Sequence, residues 1–245
     1  MAHEINTPIQ FLSDSVTFIA EGMQTMLAHL EALRALNLPR LETDEEVDYL
    51  RGALPPTLTR VSEGLGRIAE IVRSLKDFSH ADHGAMSDVD LNRAIHSTLV
   101  VSHREYEAIA DVETDFAPLP EIVGNGGQIN QVLLSLIVNA SDAIGEVVAR
   151  TGGRGRISIR TRLDGDHAVI EIQDTGGGIP EAIRAHIFEP FFSTKDVGKG
   201  TGQGLAIARN VIEKGHGGSL EFATESGVGT TFLIRLPVKQ PLTAE

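Results

Sequence analysis

Between Ile5 and Leu33 the apolar side chains fall at Ile5, Ile9, Leu12, Val16, Ile19, Met23, Met26, Leu30 and Leu33, in unbroken alternating steps of four and three. That spacing is a heptad seam, which a helix buries only against other helices. After an acidic connection around Glu42 to Asp48 the same alternation returns at Leu54, Leu58, Val61, Leu65, Ile68, Val72 and Leu75. A single helical hairpin cannot cover both stripes fully. A homodimer that closes a four-helix bundle would cover them. Pro55 and Pro56 predict a short helix before them and a main helix from about Thr57 to Phe78, because proline has no N–H to donate and crowds the preceding turn.

The stripe is lost in SHADHGAMSD, from Ser79 to Asp88, where small and polar residues gather as in a linker. The expected organisation is a helical hairpin over 1–79, a linker over 80–87 and a second domain over 88–245. In that domain the patterns predict a helix at about Leu91 to Glu105 and a strand near Val112 to Phe116. A long helix from Gly127 to Val148 comes next, then strands at Arg156 to Arg162 and His167 to Gln173. A helix from Leu205 to about Lys214 and strands at Ser219 to Ala223 and Thr230 to Leu236 complete it. Antiparallel strands with helices on one face, an α+β two-layer sandwich, fit this order.

At 245 residues with 41% hydrophobic content the chain can bury one or two cores. It has no cysteine, which excludes disulfide scaffolds, thiolate catalysis and Cys-ligated zinc and is compatible with a reducing cytoplasm. The net charge of −13 opposes attraction to nucleic acid or anionic membranes, so no nucleic-acid partner is expected. No apolar run reads as a membrane span or signal peptide.

The chemistry concentrates in DTGGGIP from Asp174, FEPFFSTK from Phe188 and GKGTGQGLAI from Gly198. Asp174 supplies a carboxylate able to accept a hydrogen bond from an exocyclic amine, and Gly176 and Gly178 let backbone pass close to a flat ring, which suits adenine. Gly200, Gly202 and Gly204 leave amides unobstructed ahead of an apolar helix, which suits phosphate. Lys195 and Lys199 bracket that glycine-rich segment and can offset phosphate charge. Upstream, NQVLLSLIVNASDAI places Asn139 on the far side of an apolar helix face. One amide oxygen with triphosphate oxygens and waters is a plausible set for Mg2+. Asn130, Gln131 and Asp142 can reach the same cleft, or simply form the helix's polar face. The other histidines show no metal-ligand spacing.

At the N-terminus, HEINTPIQF sets His3 at heptad position b, turned to solvent when Ile5 is at d. Glu4 follows directly and can take the imidazole proton as Nε2 attacks a phosphorus atom. Thr7 lies one turn on, on the His3 face.

Together these motifs resemble the transmitter core of a two-component sensor histidine kinase over nearly the whole chain, Ala2 to Val238. MAHEINTPIQF is similar to the phosphoacceptor box, with His3 as acceptor. NQVLLSLIVNASDAI is similar to the asparagine box, with Asn139 as magnesium ligand. DTGGGIP resembles the first glycine box, with Asp174 reading adenine; FEPFFSTK resembles the phenylalanine box, and GTGQGLAI with GVGTTF, which holds Thr230, the rest of the ATP cradle and lid. The resemblance implies a dimeric phosphoacceptor domain, an ATP-binding sandwich of the Bergerat type and ATP with Mg2+ as cofactors. It also implies transfer from His3 to an aspartate on a response regulator receiver domain, with phosphatase activity on that regulator involving Thr7, in a cytoplasmic core. Ser135 departs from the family, where Asn commonly stands one turn before the magnesium Asn and hydrolytic relatives carry Glu. An ATP-hydrolysing relative and a nucleotide-binding, non-catalytic dimeric scaffold or phosphotransfer module are the alternatives. His3 stands two residues from the start, whereas such a histidine normally lies well inside a long helix. The chain is therefore expected to be the core of a longer protein, with any membrane anchor ahead of it.

Overall fold

The computed structural model describes residues 2–34, 45–80, 86–192 and 202–238. The chain divides into two compact units, Met1–Lys76 and Asp77–Glu245. The first holds α1 (Ala2–Arg34) and most of α2 (Glu45–His80). α2 runs through Pro55 and Pro56, so the break expected before Thr57 does not occur. Around the prolines side chains also bond carbonyls one turn back: Thr57 Oγ1 donates to the Ala53 carbonyl at 2.7 Å and Thr59 Oγ1 to the Pro55 carbonyl at 3.1 Å. Arg60 Nε donates to the Pro56 carbonyl at 3.3 Å. Of the described seam residues, Ile19, Met26, Val61 and Ile68 are exposed, while Val16, Met23, Leu54, Leu58, Leu65 and Val72 are half-buried.

The second unit is an α/β sandwich. Its elements run β1 (Ser87–Val89), α3 (Leu91–Val101), α4 (His103–Tyr106), β2 (Ala110–Phe116), β3 (Ile122–Gly124) and α5 (Gly126–Thr151). β4 (Gly155–Asp164), β5 (His167–Asp174), α6 (Gly204–Asn210), β6 (Ser219–Glu225) and β7 (Gly229–Pro237) complete it. The main sheet has the order β2-β4-β5-β7-β6, and β1 pairs with β3 in a separate antiparallel ribbon. The expectation of wholly antiparallel strands needs one correction, because β2 pairs β4 in parallel, from Ala110 opposite Gly155 to Phe116 opposite Thr161. The chain between them contains β3 and α5, a crossover long enough to return a strand in the same direction.

Alternation along the strands sets the core. Ile157 and Ile159 of β4, Ile170 and Ile172 of β5, and Ile234 and Leu236 of β7 turn to one face, where Leu133, Leu136, Ile137 and Ile144 of α5 meet them. α5 is the one described helix long and apolar enough to cross a membrane by length and composition, and those four side chains are fully buried in the sandwich core. The helix expected from Leu91 to Glu105 breaks at Ser102, whose Oγ donates to the Thr98 carbonyl at 2.8 Å and whose backbone leaves the helical region. The helix expected to end near Lys214 does so, but as α6 followed by a π-helical turn, Val211–Gly215.

Candidate functional site

Asp174 ends the core-facing row of β5, two residues beyond Ile172, so the alternation that buries isoleucines also buries this carboxylate. It is 4% exposed. Its Oδ1 accepts from the backbone N–H of Gly176 at 2.8 Å and of Thr230 at 3.3 Å. Burial pushes its carboxyl above the ordinary carboxylate value, and the two N–H donors act in the opposite direction.

The glycines after it are required by their surroundings. A Cβ on Gly176 would stand 2.6 Å from the Ala143 Cβ of α5, and Gly178 has φ +69° with a would-be Cβ 2.2 Å from the Glu225 carbonyl oxygen. Across the sheet Thr230 is buried opposite Asp174, and its hydroxyl lies 3.1 Å from that of Thr224. Thr224 Oγ1 also accepts from the Ile179 N–H at 2.8 Å, so strands β6 and β7 hold the loop that leaves Asp174.

The other glycine cluster lies against a different part of α5. Gly202 has φ +64°, and a Cβ there would meet the carbonyl carbon and oxygen of Phe191 at 2.5 and 2.7 Å. Phe191 itself takes φ +67°, a conformation in which a side chain is strained. Gly204 opens α6, and its would-be Cβ would stand 2.5 Å from Ser135 Oγ. Phe188 is held between α6 and the sheet: the Arg209 guanidinium lies 4.9 Å from its ring centroid, and the Phe222 ring meets it edge-on at 5.9 Å.

Ser135, Asn139 and Ala143 follow one another at i, i+4 and i+8 on α5 and therefore share one face. Ser135 touches the Gly204 end and Ala143 the Gly176 end, so half-buried Asn139 stands between the two glycine clusters. The fold thus gathers Asn139, Asp174, Gly176, Gly178, Gly202, Gly204 and Thr230 at one edge of the sandwich. Lys195, Lys199 and Gly200 lie outside the described residues. His3, Glu4 and Thr7 stand in the first two turns of α1, with their side chains outside the described residues.

One amide oxygen, on a half-buried side chain between the two glycine clusters, is a fitting donor for a cation that keeps most of its waters, and among the described residues no cluster of three His, Asp or Glu side chains forms an alternative metal site. Ala143 and Thr224 were not singled out from sequence. Each had a signal: Ala143 lies one turn beyond Asn139, and the hairpin between β6 and β7 sets Thr224 opposite Thr230.

Residues 124–240 match the family described as histidine kinase-, DNA gyrase B-, and HSP90-like ATPase. Sensor kinase CckA of Brucella abortus (strain 2308) is 34% identical over 191 residues, covering 74% of this chain and 20% of that protein. Sensor histidine kinase ZraS of Escherichia coli (strain K12) is 29% identical over 241 residues, covering 97% of this chain and 44% of that protein. Among solved structures, the nucleotide-free catalytic domain of histidine kinase ThkA is 28% identical with a TM-score of 0.54, covering 63% of this chain and 96% of that one. The chain spans less than half the length of the two curated relatives. With an ATPase-type sandwich whose glycine clusters flank one asparagine, the chain carries a domain of the histidine kinase-, DNA gyrase B-, and HSP90-like ATPase family over residues 124–240 and is related along its length to sensor histidine kinases.

Proposed function

We propose that this chain is a protein histidine kinase core that binds Mg·ATP in its second unit and transfers the γ-phosphoryl group to His3 within a homodimer. The observation that carries the reading is the face of α5 on which Ser135 and Ala143 touch the two glycine clusters and Asn139 stands between them. Asp174 reads the adenine amine with its buried carboxylate, while Gly202 and Gly204 border the phosphates; Gly200 and Lys195 are given the same role on the sequence alone. Asn139, with waters, would hold Mg2+, which would supply charge neutralisation for the phosphates.

In the transfer, His3 Nε2 forms the bond to the γ-phosphorus, and the bond from that phosphorus to the bridging oxygen breaks with its electron pair leaving on ADP. Glu4 takes the remaining imidazole proton. The phosphoryl group then passes to an aspartate of a response regulator receiver domain, and Thr7 orients a water for the reverse, phosphatase, direction. The reaction is assigned to the cytoplasm.

Hydrolysis is the weaker reading, because Ser135, at the place where hydrolytic relatives carry a glutamate, offers no carboxylate to activate water. Incubation with γ-labelled ATP and magnesium tests the proposal. The parent chain should acquire acid-labile, base-stable label, and His3→Gln should bind ATP as before and acquire none. Label that persists in His3→Gln, or phosphate release without labelled protein, overturns the assignment.

A further inference from the structure

His216 follows the π-helical turn that prolongs α6 and is 2% exposed. Both ring nitrogens are committed. Nε2 lies 2.9 Å from the Asn125 backbone nitrogen, which can only donate, so Nε2 is the acceptor. Nδ1 lies 2.8 Å from the Val211 carbonyl oxygen, which can only accept, so Nδ1 carries the proton. The two partners fix one neutral tautomer.

Asn125 is the N-cap of α5, its Oδ1 accepting from the Gln128 N–H at 3.1 Å. Gly124 leaves the ring its place, since a Cβ there would stand 3.1 Å from Cδ2 and 3.3 Å from Nε2. The imidazole therefore bonds the far end of the α6 rod to the start of α5. The near end of the rod meets α5 ten residues further on, where Gly204 lies on Ser135. At about 1.5 Å per residue, α5 rises roughly 15 Å from Asn125 to Ser135, the length the rod covers between its two attachments. The two segments are thus antiparallel and fastened at both ends.

We propose that His216 is a positioning residue for the nucleotide, holding Gly204 and the first turn of α6 at a fixed depth against the Asn139 face of α5. The proposal rests on the ATP reading above and adds to it a division of labour. Asp174 belongs to β5 and takes its hydrogen bonds from Gly176 and Thr230, outside the rod. Loss of the His216 bonds should therefore loosen the phosphates and spare the base.

Mg·ATP and adenosine binding to the parent, His216→Leu and His216→Gln, measured well below each variant's Tm, test this. His216→Leu should bind Mg·ATP at least tenfold more weakly, with KM for ATP raised in step, and bind adenosine within twofold of the parent. His216→Gln, whose Oε1 can still accept from Asn125, should recover most of the ATP affinity. Folded His216→Leu that binds ATP within twofold of the parent overturns the proposal, as does an equal loss of ATP and adenosine. A parent that binds neither ligand overturns the ATP reading as well. Should His216→Leu fail to fold, nitrogen NMR of the unaltered chain and the His216→Gln titration decide. A His216 ring protonated on Nε2, or a Gln variant no better than tenfold down, overturns it.

Discussion

Ser135 and Gly204 approach so closely that a Cβ added to Gly204 would stand 2.5 Å from the Ser135 hydroxyl oxygen and 3.7 Å from its Cβ. The hydroxyl alone blocks the space. Gly204→Ala should push the start of α6 away from α5 and weaken Mg·ATP binding by about 1–2 kcal/mol, on the scale of other overpacking changes. Removing the obstacle should undo this: Gly204→Ala with Ser135→Ala should bind within about 0.5 kcal/mol of Ser135→Ala alone. Calorimetric titration of the four chains completes the cycle. If the double variant is as weak as Gly204→Ala, or if Gly204→Ala binds as the parent does, the Ser135 hydroxyl does not set the depth of α6.

Asp174 should behave oppositely in stability and in binding. Its folded pKa is raised by burial, so its contribution to stability is full below the unfolded carboxylate pKa and is lost as pH rises through the folded value. Asp174→Asn keeps an oxygen for Gly176 and Thr230 and never ionises. The ligand-free variant should therefore melt higher than the parent, with a larger gap at about pH 7 than at about pH 4. Its ATP affinity should fall by about 1–3 kcal/mol, because a buried amine loses a charged acceptor. A gap in Tm that shrinks as pH rises would mean that the ionised carboxylate is the form the fold prefers.

Two glycines separate strain from collision. Gly165 and Gly178 have φ of +62° and +69°, but a Cβ on Gly165 meets nothing within 4 Å, whereas one on Gly178 meets the Glu225 carbonyl oxygen at 2.2 Å. Gly165→Ala should cost about 1 kcal/mol, the left-handed penalty alone. Gly178→Ala must also displace the turn between β6 and β7 and should cost more than about 3 kcal/mol. Urea unfolding of the second unit's signal distinguishes them, and equal losses would show that this turn yields freely.

The strands and the two glycine clusters of the candidate site were legible because each has a local signature: alternation for β4, β5 and β7, and glycine spacing for the clusters. It did not reveal the parallel β2 to β4 pairing, since a parallel and an antiparallel partner present the same alternation. β1 and β3 are three residues each, too short to show a period. Pro55 and Pro56 read as a break because each lacks an N–H for the helical ladder, yet α2 continues through both. The bonds of His216 were invisible for another reason: its partner Asn125 lies 91 residues away and contributes a backbone group that any residue but proline would offer.

The exposed seam gives the last prediction. Ile19 of α1 is 51% exposed and Ile68 of α2 is 48% exposed, although both hold core positions of their heptads. Isolated exposed isoleucines are ordinary on a protein surface, but these two are exposed together with Met26 and Val61 on stripes whose remaining described members are half-buried. In a homodimer each substitution occurs twice, so Ile19→Glu or Ile68→Glu should weaken association by about 2–4 kcal/mol, or roughly 30-fold to 1000-fold in Kd. The helices carry no residue of the proposed nucleotide cleft, so ATP affinity should stay within twofold. Sedimentation equilibrium of the parent and both variants measures the first effect, and nucleotide titration the second. A parent that sediments as a monomer at micromolar concentration would remove the homodimer from the proposed mechanism. Dimers untouched by both glutamates would place the interface on a different face of the two helices.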